Sequence, residues 1–284
     1  MAEESLWTHK PSDVLRFRPG TLVGDIDTDS SPGFSGNRED AEEITAERGE
    51  RFAELQEMLY ANGREGDHRS VLLVLQGMDT AGKGGIVTHV VGAGNPMGID
   101  YHSFGKPTPE ELSHHFLWRI NKALPPAGHI GVFDRSHYED VLVVRVHQLV
   151  PADEVEGRYD EINTFESELI ESGTRIVKVA MFVSLDEQKA RLTERLQRPD
   201  KFWKYNPGDV DERALWPSYQ EAYQVMLDRT STEKAPWYIL PCDKKWYARL
   251  AVTELLIEAL TAMNLSWPAA DFDLQAERAR VAAL

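Results

Sequence analysis

VLLVLQGMDTAGKGG, residues 71–85, runs from an unbroken apolar stretch straight into a glycine-rich loop. VLLVLQ has the length and β-branched content of a buried strand that ends at Gln76. The loop that follows has the spacing G-x-x-x-x-G-K. Gly77 and Gly82 let the backbone turn, so that amides along the loop, with Ala81 and Gly84 among them, point inward around an anion while Lys83 reaches outer phosphates. GGIVTHVV then starts a helix whose N-terminus adds a favourable dipole. A strand entering such a loop and a helix leaving it is the context in which this spacing holds phosphate.

Two features of the loop depart from the common form. Gly84 follows Lys83 where a Ser or Thr normally ligates magnesium. Asp79 lies inside the loop, where a carboxylate repels phosphate unless a divalent cation stands between them. That makes Asp79 a candidate metal ligand or base for an acceptor phosphate, with an Asx-type turn bond as the structural alternative.

Outward from the loop the chain alternates. Apolar runs at 71–76, 99–104, 129–134, 175–183 and 236–240 are each followed by a helical pattern. Strands apolar on both faces and separated by amphipathic helices predict an α/β fold, a five-stranded parallel sheet with helices on both faces. Thr108/Glu111, Ser136/Glu139 and Ser184/Glu187 have capping-box spacing at three helix starts. Before the loop, residues 37–61 predict a long helix capped by Asn37, with Phe52, Leu55 and Leu59 on one stripe and Asn62-Gly63 as its end. Residues 1–36 contain DTDSSPGFSG and little periodicity, and are expected to form an irregular arm over a single domain spanning 37–284.

Composition narrows the function. The 284 residues carry 47 acidic and 31 basic side chains, a net charge of -16, which argues against general affinity for nucleic acid or anionic membrane. The N-terminus has no secretory pattern and no segment offers about 18 uninterrupted apolar residues, so a cytoplasmic protein is expected. Cys242 is the one cysteine, and reads as a small buried residue.

Positive charge is concentrated in KARLTERLQRPDKFWKYN, residues 189–206. Lys189, Arg191, Arg195, Arg198, Lys201 and Lys204 face only Glu194 and Asp200, a local excess of +4. Beside a phosphate loop this suggests a lid closing over phosphates, with Arg191, Arg195 and Arg198 on one helical face; a solvated helix end is the alternative. Trp203 and Tyr205 are candidates for packing, lid anchoring or base stacking. HIGVFDRSHYED ends the third strand at Asp134, a position from which an aspartate holds magnesium beside a phosphate loop. Arg135 would face the same crevice and neutralise phosphate oxygens. Glu139 is either a capping residue or a substrate contact, Asp140 a first-turn acid, and Arg145 either inward or solvated. His114, His115 and His137 show no metal-binding spacing and read as structural or surface residues.

Taken together, GMDTAGKGG, FDRSHYEDVL, RLQRPDKFWKYNPGD and APWYILPCDKKWYARL resemble the polyphosphate kinase 2 family in order and approximate spacing, over residues 40–265 or so. The resemblance implies a P-loop kinase-like three-layer fold with a helical lid at about 189–212. It implies Mg2+-dependent transfer of a terminal phosphoryl group between inorganic polyphosphate and a nucleotide, and a homo-oligomer, dimer or tetramer. The family pattern matches at Asp79, Lys83, Arg135, Arg191, Arg195, Arg198, Lys201 and Lys204. Many members carry Asn at position 134. SHYED, with Glu139, resembles the subgroup that phosphorylates nucleoside monophosphates as well as diphosphates, whereas diphosphate-restricted members tend to read SWYNR. An ATP-dependent nucleoside or nucleotide kinase is the competing enzyme. A non-catalytic P-loop switch is disfavoured, because CDKK at 242–245 does not fit a guanine-reading element.

Overall fold

The computed structural model describes residues 6–284, so the first five residues of the expected arm lie outside the described residues. Asn37 starts the first long helix, α1 (Arg38–Arg64), through a complete capping box: its side chain accepts from the Glu39 and Asp40 amides, and Asp40 accepts from the Asn37 amide. The sheet follows the expected runs within about one residue: β1 (Ser70–Gly77), β2 (Ile99–Ser103), β3 (Ile130–Asp134), β4 (Thr174–Phe182) and β5 (Trp237–Pro241). The remaining main helices are α2 (Lys83–His89), α3 (Ala152–Glu171), α4 (Leu185–Gln197), α5 (Trp216–Thr230) and α6 (Lys245–Thr261).

All five strands are parallel, in the order β2-β3-β1-β4-β5. Central β1 is buried along its whole length and sends alternate side chains into two cores. Val71, Leu73 and Leu75 pack with Phe52, Leu55 and Leu59 of α1 and with Leu250, Leu256 and Leu260 of α6. Leu72 and Val74 pack on the other face with Tyr159, Ile162 and Phe165 of α3 and with Tyr223 and Met226 of α5. The result is a three-layer α/β fold. Because β1 lies between β3 and β4, the chain turns to opposite sides of it, and ligands in such sheets bind at the carboxyl ends of the strands beside this switch point.

Asn62-Gly63 does not end α1, which continues to Arg64. A Cβ on Gly63 would stand 2.4 Å from the Gly128 Cα, so this glycine serves a close approach of helix to loop, and the turn falls at Gly66 with φ +95°. The arm pairs with the outer edge of β5, where Phe17 N–H donates to the Trp237 carbonyl at 2.8 Å and Ile239 N–H to the Leu15 carbonyl at 2.7 Å. Among the described residues no helix is long and apolar enough to cross a membrane.

Candidate active site

Three segments meet at the carboxyl ends of β1, β3 and β4: the loop 77–84, the turn 134–140 and the start of α4. In the loop, Thr80 (φ +66°) and Gly82 (φ +110°) take left-handed conformations that turn the backbone on itself. The Ala81 amide is used within this turn, donating to the Met78 carbonyl at 3.1 Å. Gly82 caps α2, and Lys83 is its first residue. Lys83 is buried and folds back over the loop, its Nζ donating to the Gly77 carbonyl at 2.5 Å and the Met78 carbonyl at 3.3 Å. Gly77 itself is packed tightly, since a Cβ there would come within 2.8 Å of the Met181 carbonyl on β4.

The turn after β3 meets the loop through one ion pair. Arg135 Nη2 donates to Asp79 Oδ1 at 2.8 Å. Arg135 also has a left-handed backbone, φ +64°, which aims its side chain across the switch point. Burial acts to lower its pKa, but Glu139 and then Asp79 outweigh that and hold the guanidinium firmly charged. Asp134, at the end of β3, accepts from the Tyr101 hydroxyl at 3.3 Å.

Glu139 does not complete a capping box. Ser136 Oγ accepts from the Tyr138 amide at 3.2 Å, but the Glu139 carboxylate instead accepts from Gln76 Nε2 at the end of β1. It is partly buried, and this desolvation raises its pKa against the opposing pull of Arg135, the Gln76 bond and Lys83. A short 3-10 turn, His137–Asp140, replaces the expected helix start and allows this reach. Asp140 is a first-turn acid, but of the 3-10 turn, and it lies buried between Arg119 at 3.4 Å and Arg158 at 3.2 Å. Arg145 points to the surface, paired with Glu156 at 2.8 Å. Stacking of His114 on Trp118, pairing of His115 with Glu161 and full burial of His137 agree with structural roles.

The basic segment separates into three kinds of contact. Arg191 is buried and braces the loop, donating to the carbonyls of Thr80 (2.9 Å), Cys242 (2.6 Å) and Asp243 (3.1 Å) and to Glu187 at 2.7 Å. Arg195 pairs with Asp209 at 3.1 Å. Arg198 has left the helical path (φ -111°, ψ 110°), so the three arginines do not share one helical face; it lies exposed beside Glu194 and Asp200. Lys201 is 3.7 Å from Asp200, and Lys204 lies over the Trp203 ring at 4.8 Å. Trp203 is 78% exposed, so it is no core residue.

Three neighbours of the site gave no sequence signal. Gln76 looks like the last member of an apolar run, yet it holds Glu139 and, through its Oε1, the Ser136 hydroxyl at 3.2 Å. Gln188 is buried and donates to the Asp79 carbonyl at 3.2 Å. Asp209 follows the basic segment and pairs with Arg195; burial and then Asp79 raise its pKa, while Arg195, Arg135 and Lys83 oppose the rise. A lone glutamine or aspartate has no spacing to reveal it.

Known proteins with this arrangement are close at hand. A family model described as Polyphosphate kinase 2 matches residues 35–268. An AMP/ADP-polyphosphate phosphotransferase of Meiothermus ruber is 45% identical over 243 residues, 86% of this chain and 90% of the relative. An ADP-polyphosphate phosphotransferase of Rhodopseudomonas palustris is 41% identical over 247 residues, 83% and 84% of the two chains. The crystal structure of polyphosphate kinase 2 from Arthrobacter aurescens TC1 superposes with a TM-score of 0.95 at 53% identity, covering 98% of each chain.

Proposed function

Since the chain belongs to the polyphosphate kinase 2 family, a group of enzymes that move phosphoryl groups between inorganic polyphosphate and nucleotides, we propose that this transfer takes place at the loop 77–84 and the turn 134–140, with AMP as well as ADP as acceptor. The observation that carries the assignment is the Asp79–Arg135 pair at 2.8 Å. It brings the one carboxylate of the loop and the strand-end arginine into the crevice lined by Lys83 and Glu139.

Lys83 and the loop amides bind the terminal phosphates of the polyphosphate, Lys83 exchanging its two carbonyl contacts for phosphate oxygens. Arg135 holds the oxygens between donor and acceptor, where charge builds as transfer proceeds. Asp79 orients the acceptor phosphate. An acceptor oxygen forms a bond to the terminal phosphorus, and the bridging P–O bond breaks to leave a polyphosphate one unit shorter. Arg195, Arg198, Lys201 and Lys204 extend positive charge along the path of the chain, and the segment 189–212 acts as a lid over it.

Asp79 and Asp134 would hold a magnesium ion. Asp79 pairs with Arg135 and Asp134 precedes it at the end of β3, and magnesium is usually held by one or two carboxylates with substrate phosphates completing its shell, so the donor set fits. When bound, the ion would supply neutralisation of phosphate charge. Thr80 Oγ1, buried and without a hydrogen-bond partner among the described residues, is a hydroxyl of the kind a bound phosphate or metal-held water satisfies. AMP acceptance is supported by Glu139 in SHYED and by the name of the Meiothermus ruber relative. A homo-oligomer, dimer or tetramer, is part of the same proposal.

The role of Asp79 is tested by D79N. Turnover with saturating polyphosphate and Mg2+ should fall by about 100-fold or more while the protein stays folded. Full activity in D79N would remove Asp79 from the mechanism.

A further inference from the structure

Beneath the turn that carries Arg135 and Glu139 lies a buried polar cluster for which the transfer scheme has no use. Lys178 sits midway along β4, opposite Val74 of β1 and Trp237 of β5, and has no exposed surface. Its ammonium makes three bonds, to Glu166 Oε2 at 2.6 Å, the Tyr138 hydroxyl at 2.9 Å and the Thr230 carbonyl at 2.8 Å, which uses all of its donors. The Tyr138 hydroxyl donates in turn to Glu166 Oε1 at 2.6 Å, and His137 Nε2 is 3.3 Å from the same oxygen. Trp237 closes the cluster, its ring edge-on to Tyr138 at 4.6 Å between centroids and its Nε1 donating to Thr230 Oγ1 at 2.9 Å.

Stability alone is a poor reason to keep this arrangement. A fully buried ion pair is commonly matched or bettered by apolar side chains of similar volume, because desolvating two charges offsets most of their attraction. What the cluster grips is more informative. His137 and Tyr138 point into it, while Arg135 and Glu139, on either side of them in the chain, point into the site. The Arg135 backbone, at φ +64°, holds such a conformation only where its surroundings over-determine it. The turn is held from the side by Gln76 and from below by Lys178 and Glu166 acting through Tyr138.

We infer that Lys178, Glu166 and Tyr138 form a buried clamp that sets the position of Arg135 and Glu139 against the phosphate loop, which makes them positioning residues for phosphoryl transfer. The inference rests on the proposed roles of Arg135 and Glu139, and the experiment separates the two.

Two variants remove the clamp in different ways: Y138F, and K178M together with E166Q, which leaves no lone buried charge. Each is assayed for kcat and for KM with polyphosphate, per folded protein as judged by circular dichroism and thermal melting, alone and in an R135K/E139Q background. With the clamp broken, kcat falls about 10- to 100-fold, as misplacement of groups near a reacting centre does, while KM for polyphosphate stays within about twofold. In the R135K/E139Q background Y138F adds less than about twofold, since its targets are already altered. Parent-like kcat in both clamp variants beside a crippled R135K/E139Q overturns the clamp alone, as does an undiminished loss in that background. Parent-like activity in R135K/E139Q overturns the site assignment itself, and the clamp with it. If Y138F fails to fold, the K178M/E166Q variant decides.

Discussion

Glu139 shows at the scale of one residue how function and stability oppose each other. Burial raises its pKa despite Arg135 and Gln76, so the folded state binds its proton more tightly than the unfolded state does. Its contribution to stability is therefore fully present below the ordinary glutamate range and is lost as pH rises through the raised folded value. Near neutral pH the charged side chain is a net burden. E139Q should then melt higher than the parent at pH 7.5, by about 2–4 °C for each 1 kcal/mol relieved, with the gain shrinking as pH falls toward 4, while its turnover with AMP drops. Melting curves across pH 4–8 check this; an E139Q protein that melts lower at pH 7.5 would contradict the burial argument. The residue was only half legible in the sequence. Ser136-x-x-Glu139 has the spacing of a capping box, but a 3-10 turn sends the carboxylate to Gln76 instead, and no local pattern reports a partner 63 positions away.

At the scale of elements, the basic segment divides by what each arginine touches. Arg191 joins α4 to the loop and to the chain after β5, satisfying two buried carbonyls and a part-buried third. R191A should cost about 3 kcal/mol or more in urea unfolding, because those acceptors lose their donors. R198A should leave the melting temperature nearly unchanged, since Arg198 is exposed and its two ion pairs lie at the surface, and should raise KM for polyphosphate if the lid assignment holds. Equal effects on stability from the two substitutions would contradict the division. β1, β3 and β4 were readable because strands buried on both faces leave continuous apolar runs, whereas edge strand β2 is largely exposed despite the expectation of two covered faces; all five ends matched within about one residue. The end of α1 was not, because Gly63 stays helical to let the Gly128 loop approach, a tertiary contact that sequence punctuation cannot express. The i, i+4, i+7 spacing of the three arginines failed for a similar reason: Pro199 ends the helix before Arg198 completes the face.

For the whole molecule, the arm answers a problem of the sheet. β5 would otherwise present an unpaired edge beside β4, and the Leu15 and Phe17 backbones pair with it while their side chains enter the two cores. Removing residues 1–18 should cost about 1.5–3 kcal/mol for each of these two buried side chains and expose the edge to pairing with other chains, seen as a lower melting temperature and rising light scattering. A truncated protein that melts like the parent and stays monodisperse would refute this role. The same view bears on the charge pattern: a chain at -16 gathers six basic side chains between residues 189 and 204, beside the phosphate loop, as a local positive field for the proposed polyanion. The most direct measurement offers AMP and ADP separately with long-chain polyphosphate and Mg2+, in the absence of ATP, and follows the nucleotides by chromatography. ATP from ADP, and ADP followed by ATP from AMP, in amounts set by the polyphosphate supplied, is the predicted result; no product from either acceptor, with transfer appearing only when ATP is the donor, would contradict the account.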